Sequence, residues 1–502
     1  MVDQPLTRRT AVRLIGATGV ALVAPTLWAG RSAACEGPPA DIRFERTGSG
    51  TTTRALAPQL VSDVGPDTVG EWSAPFQGPF PIVGIHTTLL HTGKVLMIDK
   101  KGAYLWDPVG SGHVSVNPPN ILYCSGHTAL PNGNVLFIGG VDQNGARGPR
   151  WTYEFDVANT RWVRGPDTRR GRYYPTVCLL ADGRVVITSG KLEDGQSLND
   201  DVEVYHNGTL QLVGSRLLRM YPHMWMLPSG KVLVSDAAAR TAVLDPATWS
   251  WTAAPNMLAK RVSSAGVFMP SGPQGTSRVL VTAGHKNNTA GPVATTESFD
   301  GANPGAGWRA MAPLPQPRSH MNLVYLPDGS MLGVGGANVD GKQAQSLLYD
   351  PVANTWTGLV SQTEERGYHS TALLLPDGRV LSAGDNFLPG GGTKLELYSP
   401  PYLFRGARPV VTAGPSTATW ASTISVTTPS AVSRVVLVRP SSVTHTNDMN
   451  QRHLELPFTT TGTGVTADTP VSARVAPPGW YMLFLLNAAG VPSIAHWVRF
   501  GS

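Results

Sequence analysis

One unit recurs along this chain and leaves few folds open to it: an apolar run, a tight turn ending in glycine, then a second apolar run. The clearest copy is Ser370-Thr371-Ala372-Leu373-Leu374-Leu375-Pro376-Asp377-Gly378-Arg379-Val380-Leu381-Ser382-Ala383-Gly384. Pro-Asp-Gly between two apolar runs spells a β-hairpin, because the glycine supplies the backbone freedom the turn demands. Further copies lie at 86–98, 126–140 (turn Pro131-Asn132-Gly133), 176–190 (Ala181-Asp182-Gly183), 223–236 (Pro228-Ser229-Gly230) and 322–336 (Pro327-Asp328-Gly329). A degenerate copy with a longer loop spans 265–284. Most copies are followed by a further strand and a polar turn leading to an aromatic, as in Asp156 to Trp162, Asp245-Pro246 to Trp251 and Asp350-Pro351 to Trp356.

Seven units at a period of roughly 40 to 57 residues, with Gly-Gly ends and a Trp after the polar turn, are kelch-like. They predict a seven-bladed β-propeller over 66–404. One four-stranded unit cannot bury both of its faces, and a closed ring of such units can. Beyond Tyr402 the pattern changes to short apolar strands such as Arg434-Val435-Val436-Leu437-Val438, and 405–502 reads as an immunoglobulin-like β-sandwich. With 55 glycines, 42 prolines and only 15% charged residues, the composition suits an all-β, turn-rich protein.

The N-terminus carries Arg8-Arg9, an apolar run from Leu14 to Gly30, and Ser32-Ala33-Ala34. This predicts a twin-arginine signal peptide over 1–34, cleaved near Ala34, followed by a linker or arm over 35–65. The alternative is a membrane anchor, for which the apolar run falls short of the ~20 residues a spanning helix needs. Cys35, directly after Ala33-Ala34, leaves a lipoprotein open, so the expected location is secreted or cell-envelope. Four arginines against Asp3 in that segment supply half of the formal charge of +6. The remainder holds no basic run that would argue for nucleic acid or an anionic membrane. No transmembrane span is expected in the mature protein, which reads as a monomer.

Chemistry-bearing residues gather at the entrances of the hairpins. Cys124 lies in Leu122-Tyr123-Cys124-Ser125-Gly126, Tyr174 in Arg172-Tyr173-Tyr174-Pro175, and Tyr368-His369 opens the last copy. His445 sits in Ser442-Val443-Thr444-His445-Thr446-Asn447, in the sandwich region. Equivalent ends of propeller blades face one axis, so entrance residues converge however far apart in sequence. Taken singly, each has a bland reading: a packing aromatic, a solvated loop histidine, or, for Cys178 on Val177-Cys178-Leu179, an inert core thiol.

Together, Cys124 with Gly126, Arg172-Tyr173-Tyr174-Pro175, Tyr368-His369-Ser370, Thr444-His445-Thr446 with Gln451-Arg452, and Pro477-Pro478-Gly479-Trp480 resemble the active-site and C-terminal segments of the copper radical oxidases, the family of galactose oxidase and glyoxal oxidase. The resemblance covers nearly all of the mature chain. It implies one copper ion held by Tyr174, Tyr368, His369 and His445, and a Cys124–Tyr174 thioether that serves as a radical cofactor. It makes Cys124, Tyr174 and Tyr368 the catalytic residues, with Tyr368 the axial tyrosine and proton acceptor. The implied reaction is oxidation of a primary alcohol, an aldehyde or a glycan hydroxymethyl by O2, with release of H2O2. Two imidazoles, a phenolate and an open position suit tetragonal Cu(II). Cys124 must then stay out of disulfides, which fits a chain of three cysteines.

The sequence departs from galactose oxidase where that enzyme stacks a tryptophan over the thioether. That place falls near Lys191-Leu192, which leaves Trp225 as a candidate from elsewhere. The resemblance does not extend to the N-terminal carbohydrate-binding domain of galactose oxidase, which is expected to be missing. Met220-Tyr221-Pro222-His223-Met224-Trp225 and Pro317-Arg318 resemble the glyoxal-oxidase branch, and Tyr221, His223 and Arg318 are read as lining the mouth of the site. The competing readings are a non-catalytic propeller that binds glycan or protein at the cell surface, and a copper-binding protein whose oxidase activity is vestigial.

Overall fold

The computed structural model describes residues 64–78, 82–110, 112–143, 145, 147–286, 291–387 and 392–501. The twin-arginine segment and nearly all of the arm lie outside the described residues. Seven antiparallel sheets follow one another along the chain, each built on a hairpin of the repeating type. Their first strands are His86–Leu89, Gly126–Ala129, Thr176–Leu179, His223–Met226, Ala265–Phe268, Asn322–Tyr325 and Ser370–Leu374; the sheets are numbered one to seven in that order. Each first strand pairs with the second, and strand order within sheets two to six follows chain order. First strands pack side by side from sheet two to three to four, and from five to six to seven to one.

The turn chemistry accounts for the hairpins. In sheets one to four, six and seven the turn glycine sits at φ between 81 and 91°, at Gly93, Gly133, Gly183, Gly230, Gly329 and Gly378. The preceding polar residue often caps the turn, as Asp182 and Asp377 do by accepting from the N–H groups of Arg184 and Arg379. The second strands, such as Val95–Ile98 and Val135–Ile138, are buried on both faces, which explains their unbroken apolar runs.

Two connections were not visible as local patterns. Glu71–Trp72 and Phe76–Gln77 pair with Lys394–Ser399, so the first strands among the described residues complete the last repeat sheet. The hairpin Ser442–Thr444/Asn447–Asp448 joins sheet one, with Thr444 opposite His86 and Ser442 opposite Thr88. The remaining C-terminal strands form a five-stranded sheet and a three-stranded sheet. Strand Arg434–Val438 divides its side chains by parity: Val435 and Leu437 enter the core between those two sheets, while Val436 and Val438 join a core shared with sheets one, five, six and seven. The C-terminal layer is thereby fused to the repeat sheets along an apolar, buried face. Among the described residues, no helix is long and apolar enough to cross a membrane.

Candidate metal centre

The backbone places the site. Two residues before the first strands of sheets two to six stand Cys124, Tyr174, Tyr221, Ser263 and His320, and the corresponding position of sheet seven is His369. All six adopt left-handed conformations, with φ of 61, 67, 47, 53, 59 and 68°. Such values are uncommon for residues other than glycine and mark sites where surrounding structure overrides local preference. Neighbouring copies are tied to one another: Tyr174 N–H donates to the Cys124 carbonyl at 3.0 Å, Tyr221 N–H to the Tyr174 carbonyl at 3.1 Å, and His320 N–H to the Ser263 carbonyl at 3.0 Å. The repeat thus carries its own ring of convergent positions, and the sequence fills it with a thiol, phenols and imidazoles.

Buried arginines anchor this ring. Arg172, Arg261 and Arg318 each lie two residues upstream of the left-handed residue and donate to carbonyls of their own sheet. In sheet seven the corresponding Arg366 lies three residues upstream of His369 and donates to the Gly384 and Lys394 carbonyls. The extra residue makes room for Tyr368 beside His369. Arg318 is therefore not at the mouth, as the sequence suggested. It is 1% exposed, and its guanidinium holds the Gly335 and Gln345 carbonyls.

His445 arrives from the C-terminal hairpin. Thr444 pairs with Asn447, and the two residues between them, His445 and Thr446, both have positive φ, 49 and 68°. That is the two-residue turn usually built from Asn-Gly, here holding an imidazole. Cys124 Sγ lies 3.6 Å from His445 Nε2, and ligand atoms of Cys124, His369 and His445 all fall within 4.8 Å of one another. The Tyr174 and Tyr368 hydroxyls are 2.7 Å apart. The His445 ring lies 4.6 Å from that of His369, 5.1 Å from that of Tyr174 and 5.5 Å from that of Tyr368, each edge to face. All five residues singled out in the sequence thus meet at one place.

Hydrogen bonds set the imidazole tautomers. The Thr444 hydroxyl donates to the Ile85 carbonyl at 3.0 Å, so its oxygen accepts from His445 Nδ1–H at 2.6 Å. The Asn386 carboxamide oxygen accepts from His369 Nδ1–H at 2.7 Å. Both rings therefore offer an unprotonated Nε2. Burial pushes His369 down to about 3, and burial together with neighbouring imidazoles holds His445 well below its ordinary value. Two neutral imidazoles beside two phenols form an N/O donor set suited to Cu(II).

His86, His127 and His320, which the sequence reading passed over, and Tyr221, read there as a mouth residue, complete the surroundings. Cys124 N–H donates to His86 Nε2 at 2.8 Å, and His86 Nδ1 lies 3.4 Å from His127 Nδ1. The Tyr221 ring is 4.9 Å from that of His445 and 5.0 Å from that of Tyr174. The His320 ring is 5.1 Å from that of Tyr368. His320 was findable from the repeat alone, since it precedes its hairpin as Cys124 and Tyr174 precede theirs. His223 sits lower, hydrogen-bonded to the Ser264 hydroxyl and stacked on Trp225. Trp225 is buried in the seam between sheets four and five with Leu233 and Phe268. The ring lying against Tyr174 is that of its chain neighbour Tyr173, at 4.0 Å, and the Lys191 ammonium faces Tyr173 at 5.9 Å. Cys178 is a buried thiol whose pKa desolvation raises to about 11.

The comparisons with known proteins point the same way. The fold and the donor set define a galactose oxidase-like protein: residues 408–500 match the galactose oxidase-like early set domain. Residues 116–390, more than half of the chain, match the glyoxal oxidase N-terminus family, and the chain belongs to that copper radical oxidase family. Galactose oxidase of Gibberella zeae is 28% identical over 444 residues, covering 78% of this chain and 63% of that protein. The chain thus spans somewhat under two thirds of the length of that relative. Aldehyde oxidase GLOX of Vitis pseudoreticulata is 27% identical over 515 residues, covering 83% of this chain and 95% of the relative. A solved structure of a fungal alcohol oxidase in complex with copper superposes with a TM-score of 0.78 at 22% identity, covering 87% of this chain and all of that one.

Proposed function

We propose that this protein is an exported copper radical oxidase that oxidises an alcohol or aldehyde with O2 and releases H2O2. The observation that carries the reading is the convergence of Cys124, Tyr174, Tyr368, His369 and His445, with both imidazoles offering a bare Nε2. His369, His445, Tyr174 and Tyr368 would hold the metal. Bound copper would supply one oxidising equivalent and a sulfur-linked tyrosine the second, as a two-electron oxidation requires.

The chain's own residues have definable parts. Forming the Cys124–Tyr174 thioether breaks one S–H and one C–H bond and makes one C–S bond; the two protons and two electrons go to O2 as H2O2. Tyr368, with its hydroxyl 2.7 Å from that of Tyr174, is the base that takes the substrate hydroxyl proton. Tyr174, once cross-linked and oxidised, would be the group placed to take a hydrogen atom from the adjacent carbon. The balance is RCH2OH + O2 → RCHO + H2O2, and a hydrated aldehyde gives the acid by the same steps. Ring packing around Tyr368, His369 and His445 fixes these groups before substrate arrives.

Export is proposed from Arg8-Arg9 and the apolar run that follows. The domain limits proposed are 66–404 for the repeat sheets and 405–502 for the sandwich. The test is intact mass under reducing conditions before and after aerobic Cu(II) loading, followed by a peroxide assay across aldehydes, alcohols and sugars. A permanent loss of about two mass units, mapped to the peptides of Cys124 and Tyr174, is expected. Recovery of both peptides free, with no peroxide formed, overturns the reading.

A further inference from the structure

Sheet seven departs twice from sheets three, five and six, and the two departures face each other. The first is the extra residue between Arg366 and His369. The second lies at the end of the second strand. There, sheets two, three, five and six carry Gly140, Gly190, Gly284 and Gly336, with φ of 134, 102, 91 and 101°. Register puts Asp385 at this position in sheet seven, since Thr371 pairs with Ala383 as Asn322 pairs with Val334. Asp385 keeps a left-handed φ of 69° without being glycine. Sheets one and four carry Lys100 and Ala237 at this register without a left-handed backbone, so a side chain held in that conformation needs a reason.

Its hydrogen bonds supply one. Asp385 N–H donates to the His369 carbonyl at 3.0 Å. Its carboxylate accepts from Gly367 N–H at 2.6 Å and from Phe387 N–H at 3.0 Å, and pairs with the Lys342 ammonium at 2.9 Å. Asp385 is fully buried, so these bonds act without competition from water. One residue therefore holds both ends of Gly367-Tyr368-His369. The next residue, Asn386, accepts from His369 Nδ1–H at 2.7 Å, and the Tyr123 hydroxyl stands 3.1 Å from the same nitrogen.

We propose that Asp385 and Asn386 form a clasp that positions the two adjacent site residues: Asp385 pins the lengthened loop so that Tyr368 and His369 both reach the centre, and Asn386 fixes the His369 tautomer with Nε2 bare. Neither residue touches the reacting atoms; both act through Tyr368 and His369. The proposal rests on the reading of those two residues as metal ligands. Outer partners that orient a ligating histidine typically change metal affinity 10- to 100-fold when removed. Lys342, on the small hairpin Ala337–Asn338/Gly341–Lys342, carries the clasp's charge balance from sheet six.

The experiment uses the full chain with Asn386→Ala, Asn386→Asp and Asp385→Gly. The last is chosen because four sister sheets fold with glycine there. The first readout needs no metal: 15N-histidine NMR of the metal-free protein, with the His369 signal assigned by its loss in His369→Gln. The clasp requires an Nδ1–H tautomer in the wild type, lost in Asn386→Ala and kept in Asn386→Asp. The second readout is Cu(II) affinity by chelator competition, with the EPR spectrum. A 10- to 100-fold loss is expected in Asn386→Ala, recovery to within about threefold in Asn386→Asp, and an altered spectrum in Asp385→Gly with melting temperature retained. An unchanged tautomer in Asn386→Ala, or wild-type copper parameters in both Asn386→Ala and Asp385→Gly, overturns the clasp. A wild type that takes up no copper while showing the expected tautomers overturns the functional reading and with it the clasp's part in metal binding, leaving only the tautomer assignment of His369.

Discussion

The hydroxyls of Tyr174 and Tyr368 lie 2.7 Å apart although the residues are 194 positions apart in sequence and come from different sheets. Each side chain is steered there by a left-handed residue, Tyr174 by its own backbone and Tyr368 by His369 behind it. Along that contact one hydroxyl donates and the other accepts, so the two phenols cannot be equivalent at any instant.

Removing one hydroxyl tells the two phenols apart. Tyr368→Phe keeps the ring 3.7 Å from that of His369 and leaves Cys124 and Tyr174 untouched. The loss of about two mass units on copper loading should therefore persist, while turnover falls about 10²- to 10⁴-fold, as expected for loss of a positioned base. Intact mass and peroxide release, measured on one preparation, check both.

Thr444 controls the other imidazole. Thr444→Val preserves shape but removes the acceptor for His445 Nδ1–H and the donor to the Ile85 carbonyl. Cu(II) affinity should fall 10- to 100-fold. Stability should drop by about 1–3 kcal/mol through the orphaned carbonyl. Chelator competition and urea denaturation separate the two effects.

Acid should unfold the metal-free protein early. Burial holds His127 down to about 3, and His223 and His453 down to about 4. The unfolded chain takes up these protons near pH 6.5 and the folded chain does not, so the stabilisation is whole above that pH and is lost as pH falls from about 6.5 toward 4. Asp448, raised to about 6 by burial, works in the opposite sense by binding a proton in the folded state first, and offsets part of the loss. Melting temperature against pH should fall steeply below about 6, and His453→Gln should flatten the slope by about one proton.

Cys178 should be silent. It is buried with its thiol pushed up to about 11, so it neither reacts with thiol reagents in the native state nor joins the centre. Cys178→Ala should keep the copper-dependent mass change at a cost of about 1–2 kcal/mol in stability. Loss of the mass change in this variant would assign the cross-link to the wrong cysteine.

The hairpins were legible because their signals are local, whereas the five site residues stood out only through the joint resemblance of several separate segments. A Pro-Asp-Gly turn is written in three consecutive letters, and Tyr368-His369 at a strand entrance is an irregular place for two such side chains. What stayed hidden depends on distant partners. Thr444 meets the Ile85 carbonyl 359 residues away, and no periodicity announces that Ser442–Thr444 will add to sheet one. Arg318 was misread because a charged residue beside the site motifs looks like a mouth residue, whereas this repeat uses its arginines, fully buried, to tie backbone carbonyls. Asn386 carried no signal on its own; its meaning comes from the ring nitrogen it faces.

The ladder between Ser442–Thr444 and His86–Leu89 fixes the timing of assembly during synthesis. A nascent chain has translated all seven repeat sheets before His445 leaves the ribosome, and the turn that presents His445 is seated by strands on both sides of it. A chain that stops short of the C-terminal layer therefore keeps Cys124, Tyr174, Tyr368 and His369 but lacks His445 and the strand that pairs with His86–Leu89.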